Sequence, residues 1–567
     1  MDVSRRHWMG LASALAVGGA QAALPPPSPP SVRITRRGTR DPRQLIDALS
    51  RYATAEMVAY GLPGMVLAID GPDELRATIA LGHADLKTRL AVEHGQLFQI
   101  GSISKSMVAL LLYTLADKGR LDLDAPVTTV LPDVPWPVER ITVAMLLNHT
   151  AALSDFAPLW PRSPDGRLWV NYAPGTRFSY SNPGFNLLGL IAARASGMPF
   201  HRALQDMVLR PLGMTGSEPL ILTRDRARYP TGYTAYRAGS FFPDSPLAEG
   251  PWLDIELAAG SVAAPAEDMA RYVRFLIQLG RGHGAPLMSD TLAKRYVTPT
   301  IDAGDFQPKG RYAAGIATVD VDGRRCLHHT GGMILFHSSI TVDPQAGGGV
   351  FASTNSAAGG YRPRGITHHG CRLIRAFAEG KPLPSAPRIV AVPAIADATQ
   401  REGRFLASDG TAITLEAARA SLTVFADGVR ARVMPGSNGR FTTDHPRLSR
   451  HEIAFLPGRQ DRLWWGATLY ARDNAVVTPP VPAAISGLAG RYLTDDPWTG
   501  ELSVVARGDQ LVLEGAGPLA QAPDGSWRVR GDEMPAERLW FDATLDGRAQ
   551  RLIFSGVDLR RFHDTTD

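Results

Sequence analysis

The sequence predicts an α+β domain of catalytic size followed by two small antiparallel β-barrels, and three observations carry that reading. Between residues 45 and 380, helical periodicity (SKSMVALLLYTLADKG, EDMARYVRFLIQLG) is mixed with short apolar strands (GMVLAI, SSITV). Beyond residue 395 the apolar positions alternate in short segments, separated by the turn pairs Asp409-Gly410, Asp427-Gly428, Asp524-Gly525 and Asp546-Gly547. The tail also repeats: GRFL (403–406) returns as GRYL (490–493), and RLWW (462–465) as RLIF (551–554), at offsets of 87 and 89 residues. A rival alignment of RLWWGATL (462–469) with RLWFDATL (538–545) matches more letters but requires an offset of 76. The near-constant spacing decides for two similar barrels in tandem.

Taken in order, residues 1–22 read as a signal peptide: Arg5 and Arg6, an apolar stretch from Trp8 to Val17, and Ala20-Gln21-Ala22 as a small-residue cleavage site. The string Ser4-Arg5-Arg6-His7-Trp8-Met9 resembles a twin-arginine export signal, with Trp8 where Phe is usual. The apolar stretch is shorter than the ~20 residues of a spanning helix. The sequence therefore predicts export to the periplasm or medium, with no transmembrane span in the mature chain. Residues 23–44 open with the stiff LPPPSPP spacer, and 45–380 form the α+β domain. The Pro-rich stretch 381–394 leads to a first barrel over 395–477, and a linker at 478–486 leads to a second over 487–567. A chain of 567 residues, 44% hydrophobic, is neither disordered nor collagen-like. With 60 Lys+Arg against 55 Asp+Glu and no basic run, nucleic acid is not an expected partner.

Ser102-Ile103-Ser104-Lys105 opens the apolar segment Met107 to Leu115, which reads as a buried helix. Three residues apart on a helix, Ser102 and Lys105 share a face. A serine hydroxyl is a poor nucleophile until a base takes its proton. A buried lysine near a helix N-terminus has its charged form disfavoured by desolvation and the dipole, so Lys105 can be that base at neutral pH. Taken alone, the same four residues also fit an ordinary helix start with Ser102 as cap. Tyr180-Ser181-Asn182, within PGTRFSYSNPGFNLLG, places a phenol and an amide in a turn-rich loop ahead of an apolar helix. His329-Thr330-Gly331-Gly332 follows the strand-like Arg325 to His328, and its glycines allow close backbone approach to a ligand.

Ser-x-x-Lys, Tyr-x-Asn and a basic residue followed by Thr-Gly, in this order, resemble the signature elements of the penicillin-recognising serine hydrolases. That family comprises DD-peptidases, class C β-lactamases and related esterases and D-aminopeptidases. The resemblance extends to LFQIGSISKSMVALLLYTLADKGRLDLDAPV (97–127), LLNHTAAL (146–153), PLGMTGS (211–217) and AAGSVAAPAEDMARYV (258–273). It implies a five-stranded antiparallel sheet flanked by helices, with an all-α subdomain holding the Ser102 helix and the Tyr180 loop. It also implies roles: Ser102 as nucleophile, Lys105 as its base, Tyr180 as proton shuttle to the leaving group and Asn182 as partner of the substrate amide. The backbone N–H groups of Ser102 and Gly332 would form the oxyanion hole, and His329, Thr330 and Gly331 would line the cleft. Acylation of Ser102 followed by hydrolysis needs no metal or cofactor. The tail is similar to the paired C-terminal barrels of D-aminopeptidases in this family and to lipocalin-like appendages on other members.

One departure bears on substrate. Class C β-lactamases typically carry Lys-Thr-Gly in the third element, whereas His329 here is mostly neutral at pH 7 with an unperturbed pKa near ~6.5. A permanent cation for a substrate carboxylate is then missing from that motif, which argues against an efficient β-lactamase. The expected function is an exported serine hydrolase of small amides or esters, with D-amino-acid peptides, including peptidoglycan fragments, and short acyl esters as leading substrates. The alternatives are a weak β-lactamase or a non-catalytic envelope-binding pseudoenzyme, although nucleophile, base and phenol are all present. A Gly-x-Ser-x-Gly elbow, which an α/β-hydrolase would need, does not occur.

The remaining features receive structural readings. His328 should point away from His329 on a strand, His149 should fix a loop by hydrogen bonding, and His368-His369 lack a visible third metal ligand. Trp464, Trp465, Trp540 and Phe541 read as barrel core. Cys326 and Cys371 fit either one disulfide or two buried free thiols.

Overall fold

The structure is a computed structural model that describes residues 24–563 except 37, 138, 236–240, 305, 437–438 and 532–536. Residues 1–22, where a signal peptide is expected, lie outside the described residues. The chain divides into two compact units, Ala20–Thr234 with Leu247–Ile389, and Ala235–Pro246 with Val390–Asp567.

The first unit is built on an antiparallel sheet. Its strands are β1 (Ser31–Arg36), β2 (Gly64–Asp70), β3 (Arg76–Asp85), β4 (Leu90–Ala91), β5 (Ile301–Asp302), β6 (Arg311–Tyr312), β7 (Ala317–Val321), β8 (Arg324–Gly332), β9 (His337–Asp343) and β10 (Gly348–Thr354). Their order is β1-β3-β2-β10-β9-β8-β7-β6-β5, with β4 paired to β3. Among the described residues the sheet thus has ten strands, five long ones (β3, β2, β10, β9, β8) at the centre and shorter ones at either edge. Both faces are covered, which is why β2, β9 and β10 are buried along their whole length instead of alternating.

Helices α1 (Arg43–Tyr60), α2 (Ser104–Asp117), α3 (Asn182–Ser196), α4 (Ala266–Gly280) and α5 (Arg364–Glu379) surround the sheet and the site. Gly349 faces Val273 of α4, while the next residue, Val350, packs against Gly370 of α5, as the two-residue pleat requires. On the α5 side Leu45, Leu49 and Met57 of α1 join Leu67, Ile79, Val350, Ile366 and Leu373 in one core. Helix α2 is apolar on every side and buried from Ser104 to Leu115, so it forms the centre of the helical region instead of a surface helix. Cys326 and Cys371 are free, buried thiols. Hydrogen bonding to Cys326 and burial push the Cys371 thiol well above its ordinary value, which keeps it protonated and inert.

The second unit holds two closed eight-stranded barrels, Gly403–Leu406 to Thr468–Arg472 and Gly490–Leu493 to Val557–Arg561. Strict alternation builds their interiors, as in Ser421–Ala426, where Leu422, Val424 and Ala426 point inward. The repeat seen in the sequence is structural. In the first barrel Phe405 pairs with Arg472 across the closing strands, and in the second Tyr492 pairs with Arg561. Each guanidinium lies over its aromatic ring, at 5.4 and 5.2 Å from the centroid. The pleat divides the tail aromatics: Trp465 and Phe541 share the inward face with the fully buried Leu463 and Leu539, Trp465 packing on the barrel core and Phe541 5.9 Å from the Tyr492 ring, while Trp464 and Trp540 take the other face and depart from the core expectation. Alternation, not bulk, decides which aromatic of each pair joins the core.

A buried ionic cluster joins the two barrels. Arg507 of the second approaches Glu452 of the first at 3.4 Å and donates to the Gly466 carbonyl at 2.9 Å. Glu452 accepts from the Gly515 N–H at 3.1 Å, and Glu514 in turn accepts from the Glu452 N–H at 3.2 Å and pairs with His451. Arg507 and both carboxylates are less than a tenth exposed. Removing Arg507 takes the shared cation from two buried carboxylates, so Arg507→Ala should destabilise the tail by about 3 kcal/mol in denaturant titration. Arg459→Ala, at an exposed pair (52% and 46%), should change it by less than ~1 kcal/mol.

Candidate active site

The short strand Phe98–Gln99 runs into a 3-10 turn, Gly101–Ile103, that continues as α2 and sets Ser102 at its mouth. Gly101 has φ 54°, and a Cβ there would sit 2.7 Å from the Gly332 nitrogen. Glycine at 101 therefore lets the Ser102 turn approach the end of β8. A Cβ on Gly331 would meet the Ile100 carbonyl oxygen at 1.9 Å, so the same approach needs glycine on both sides.

In the first turn of α2, Lys105 is fully buried. Its Nζ donates to Asn182 Oδ1 at 2.6 Å and the Ala259 carbonyl at 2.8 Å, and lies 3.0 Å from Ser102 Oγ. Burial brings the Lys105 pKa down to about 7, against the pull of the Asp155 carboxylate, which favours the ammonium. Lys105 is thus half-neutral near pH 7 and can accept a proton from Ser102.

Tyr180 and Asn182 are delivered by the start of α3. Ser181 caps that helix, its Oγ accepting from the Gly184 N–H at 3.1 Å, with Pro183 in the first turn. The Ser181 N–H donates to His149 Nδ1 at 3.1 Å, and the His149 ring lies against Tyr180 with centroids 4.3 Å apart, so His149 does fix this loop. His149 itself has φ 59°, a left-handed conformation uncommon outside glycine. Lys105 Nζ lies 4.9 Å from the centre of the Tyr180 ring, and the Ser102 side chain is near enough to the phenol to favour its ionised form. Burial pushes the phenol up, and Ser102 and Arg362 oppose it. Tyr180 is a neutral phenol at pH 7.

His329 is fully buried, with a pKa lowered to about 3 by burial and by Lys105. Its Nδ1 lies 2.7 Å from the Thr330 carbonyl, which can only accept, so Nδ1 carries the proton and Nε2 accepts from the Tyr312 hydroxyl at 2.9 Å. The ring backs the site as a neutral strut and adds no cation to the cleft. His328 takes the opposite face of β8, with Nδ1 3.0 Å from Thr341 Oγ1.

Two charged residues outside the recognised motifs also belong to the site. Asp155 Oδ1 accepts from the Asn182 N–H at 3.1 Å and from Asn182 Nδ2 at 3.0 Å. Arg362, just ahead of α5, donates to the Tyr361 and Gly360 carbonyls at 3.2 and 3.3 Å. Its Nη2 lies where a Cβ on Gly332 would be, 2.3 Å from that position. A permanent cation thus stands beside the Gly332 backbone. No sequence pattern marks either residue, because both reach the site only through tertiary packing.

Among the described residues no group of three or more His, Cys, Asp or Glu could hold a metal ion, and no helix is long and apolar enough to cross a membrane. The sequence profile of the Beta-lactamase family matches residues 46–369. A protein named "Beta-lactamase" from Escherichia coli (strain K12) is 30% identical over 243 residues, 41% of this chain and 61% of its own length. "Penicillin-binding protein 4" of Amycolatopsis lactamdurans is 27% identical over 380 residues, 61% of this chain and 94% of its own. Among solved structures, the octameric penicillin-binding protein homologue from Pyrococcus abyssi superposes with a TM-score of 0.53 at 20% identity, covering 75% of this chain and 100% of that one. The profile spans more than half of the residues, including all three motifs that meet around Ser102, and the chain therefore belongs to the beta-lactamase family, a family of serine hydrolases.

Proposed function

We propose that this chain is an exported hydrolase that cleaves amide or ester bonds of small substrates through an acyl-enzyme on Ser102, with D-amino-acid peptides as the preferred class. The observation that carries the reading is Lys105 Nζ standing 3.0 Å from Ser102 Oγ with the Tyr180 ring 4.9 Å from the same Nζ. In the first step neutral Lys105 takes the Ser102 proton as Oγ attacks the carbonyl carbon. The N–H groups of Ser102 and Gly332 stabilise the oxyanion. Tyr180, whose ring lies beside Lys105, passes the proton from Lys105 to the leaving amine or alcohol, and Asn182 holds the acyl-side amide. Water then enters by the same route in reverse and releases the acid.

Arg362 supports the choice of substrate. His329 supplies no positive charge, but the Arg362 guanidinium flanks the oxyanion-hole glycine and suits a substrate carboxylate. Peptides ending in a D-amino acid carry such a group and short neutral esters do not. The test compares kcat/KM for a D-alanyl-D-alanine peptide, D-alanine p-nitroanilide and p-nitrophenyl butyrate, each beside Ser102→Ala. The reading expects Ser102-dependent turnover, highest for the carboxylate-bearing peptide; turnover that survives in Ser102→Ala would remove it. Export is tested by locating the mature N-terminus, expected at Ala23.

A further inference from the structure

We infer that Asp155 is a positioning residue of this site: its carboxylate fixes the orientation of the Asn182 amide and thereby aims the Lys105 lone pair at Ser102. The inference rests on the hydrolase reading for its catalytic meaning, but its geometry stands alone.

A carboxylate only accepts hydrogen bonds. Asp155 Oδ1 receives both the Asn182 backbone N–H (3.1 Å) and the side-chain Nδ2 (3.0 Å), so the amide must turn its NH2 towards Asp155 and its Oδ1 towards Lys105 (2.6 Å). The other acceptor of Lys105, the Ala259 carbonyl (2.8 Å), is held because the Ala259 N–H donates to Asn186 Oδ1 at 3.0 Å. Two of the three directions around Nζ are therefore claimed by fixed acceptors, and the third faces Ser102 Oγ. In the neutral amine those acceptors hold its two protons, and the remaining direction is the lone pair. Were the Asn182 amide reversed, its NH2 would meet Nζ and compete with the Ser102 proton for that lone pair. Asn182 can adopt either orientation; Asp155 removes the choice.

The same carboxylate sets the electrostatics around Lys105. The groups facing Nζ are Asp155, the neutral Tyr180 phenol, neutral His329 and, beyond Tyr180, Arg362. Asp155 is the anion of that set and offsets the burial that favours the neutral amine.

The test is a titration of Lys105 by 13C NMR on the full chain labelled at lysine Cε, the signal assigned by its loss in Lys105→Arg, together with the pH profile of Ser102 acylation. Asp155→Asn keeps the shape and removes the charge; Asp155→Ser removes both and serves if the first does not fold. Loss of an opposite charge should move the Lys105 midpoint, and the acid limb of acylation, about 1 unit to lower pH. The plateau rate should fall, as a fraction of Asn182 reverses. A role confined to holding the loop would lower melting temperature and amplitude without moving the midpoint. An unmoved or upward-moving Lys105 midpoint in both variants overturns the inference. If wild type is not acylated yet the midpoint moves, the placement of Asp155 stands and the hydrolase reading falls.

Discussion

Lys105→Arg should lower the rate of Ser102 acylation by roughly 10²–10⁴-fold, the share that a positioned general base contributes. Arginine keeps the positive charge but cannot release a proton near neutrality, so the substitution separates charge from basicity. The pH profile of wild type follows from the same residue. The base works when neutral, and burial places its pKa at about 7. Acylation should therefore fall as pH drops through about 7 and level off above it. Tyr180 is raised above the ordinary range and stays protonated throughout, so no second loss is expected on the alkaline side below about pH 10. Stopped-flow acylation from about pH 4 to about pH 10 measures both features, and a limb near ~4.5 would transfer the base role to a carboxylate.

Arg362→Ala should discriminate between substrates. A hydrogen bond to a charged group contributes about 1.5–3 kcal/mol, which corresponds to roughly 10–100-fold in kcat/KM for a peptide carrying a terminal carboxylate. A neutral ester has nothing for the guanidinium to hold, and its kcat/KM should change several-fold less. The contrast between the two substrates is the informative quantity, because Arg362 also packs on Gly332 and against His337 and could disturb both alike. Equal losses for peptide and ester would make Arg362 a support of the glycine turn instead of a carboxylate anchor.

Much of this site was legible because its chemistry is carried by local strings. Ser102 and Lys105 lie on one helical turn, Tyr180 and Asn182 on one cap, and His329 to Gly332 on one strand end. Asp155 and Arg362 were not legible: each sits in irregular chain, 27 and 25 residues from its partners Asn182 and His337, with no periodicity to mark it. Where His329 adds no charge, a guanidinium from another element stands beside Gly332. The edges of the sheet were hidden for a related reason, since Leu90–Ala91, Ile301–Asp302 and Arg311–Tyr312 are two residues long and cannot display an alternation. The barrels were visible through alternation and repeat, and the Phe405/Arg472 and Tyr492/Arg561 pairs show why those offsets of 87 and 89 held. Among the tail aromatics Trp464 and Trp540 misled, because apolar bulk suggested core where the pleat turns them away from Leu463 and Leu539.

The central claim is that Ser102 becomes covalently acylated. Intact-mass spectrometry of the mature protein after brief exposure to a fluorescent penicillin and to p-nitrophenyl butyrate, beside Ser102→Ala, addresses it directly. The account predicts a single acyl adduct on wild type, mapped to the peptide containing Ser102, and none on Ser102→Ala. An adduct that persists in Ser102→Ala or maps to another residue, or hydrolysis of either probe by the variant at the wild-type rate, would contradict it.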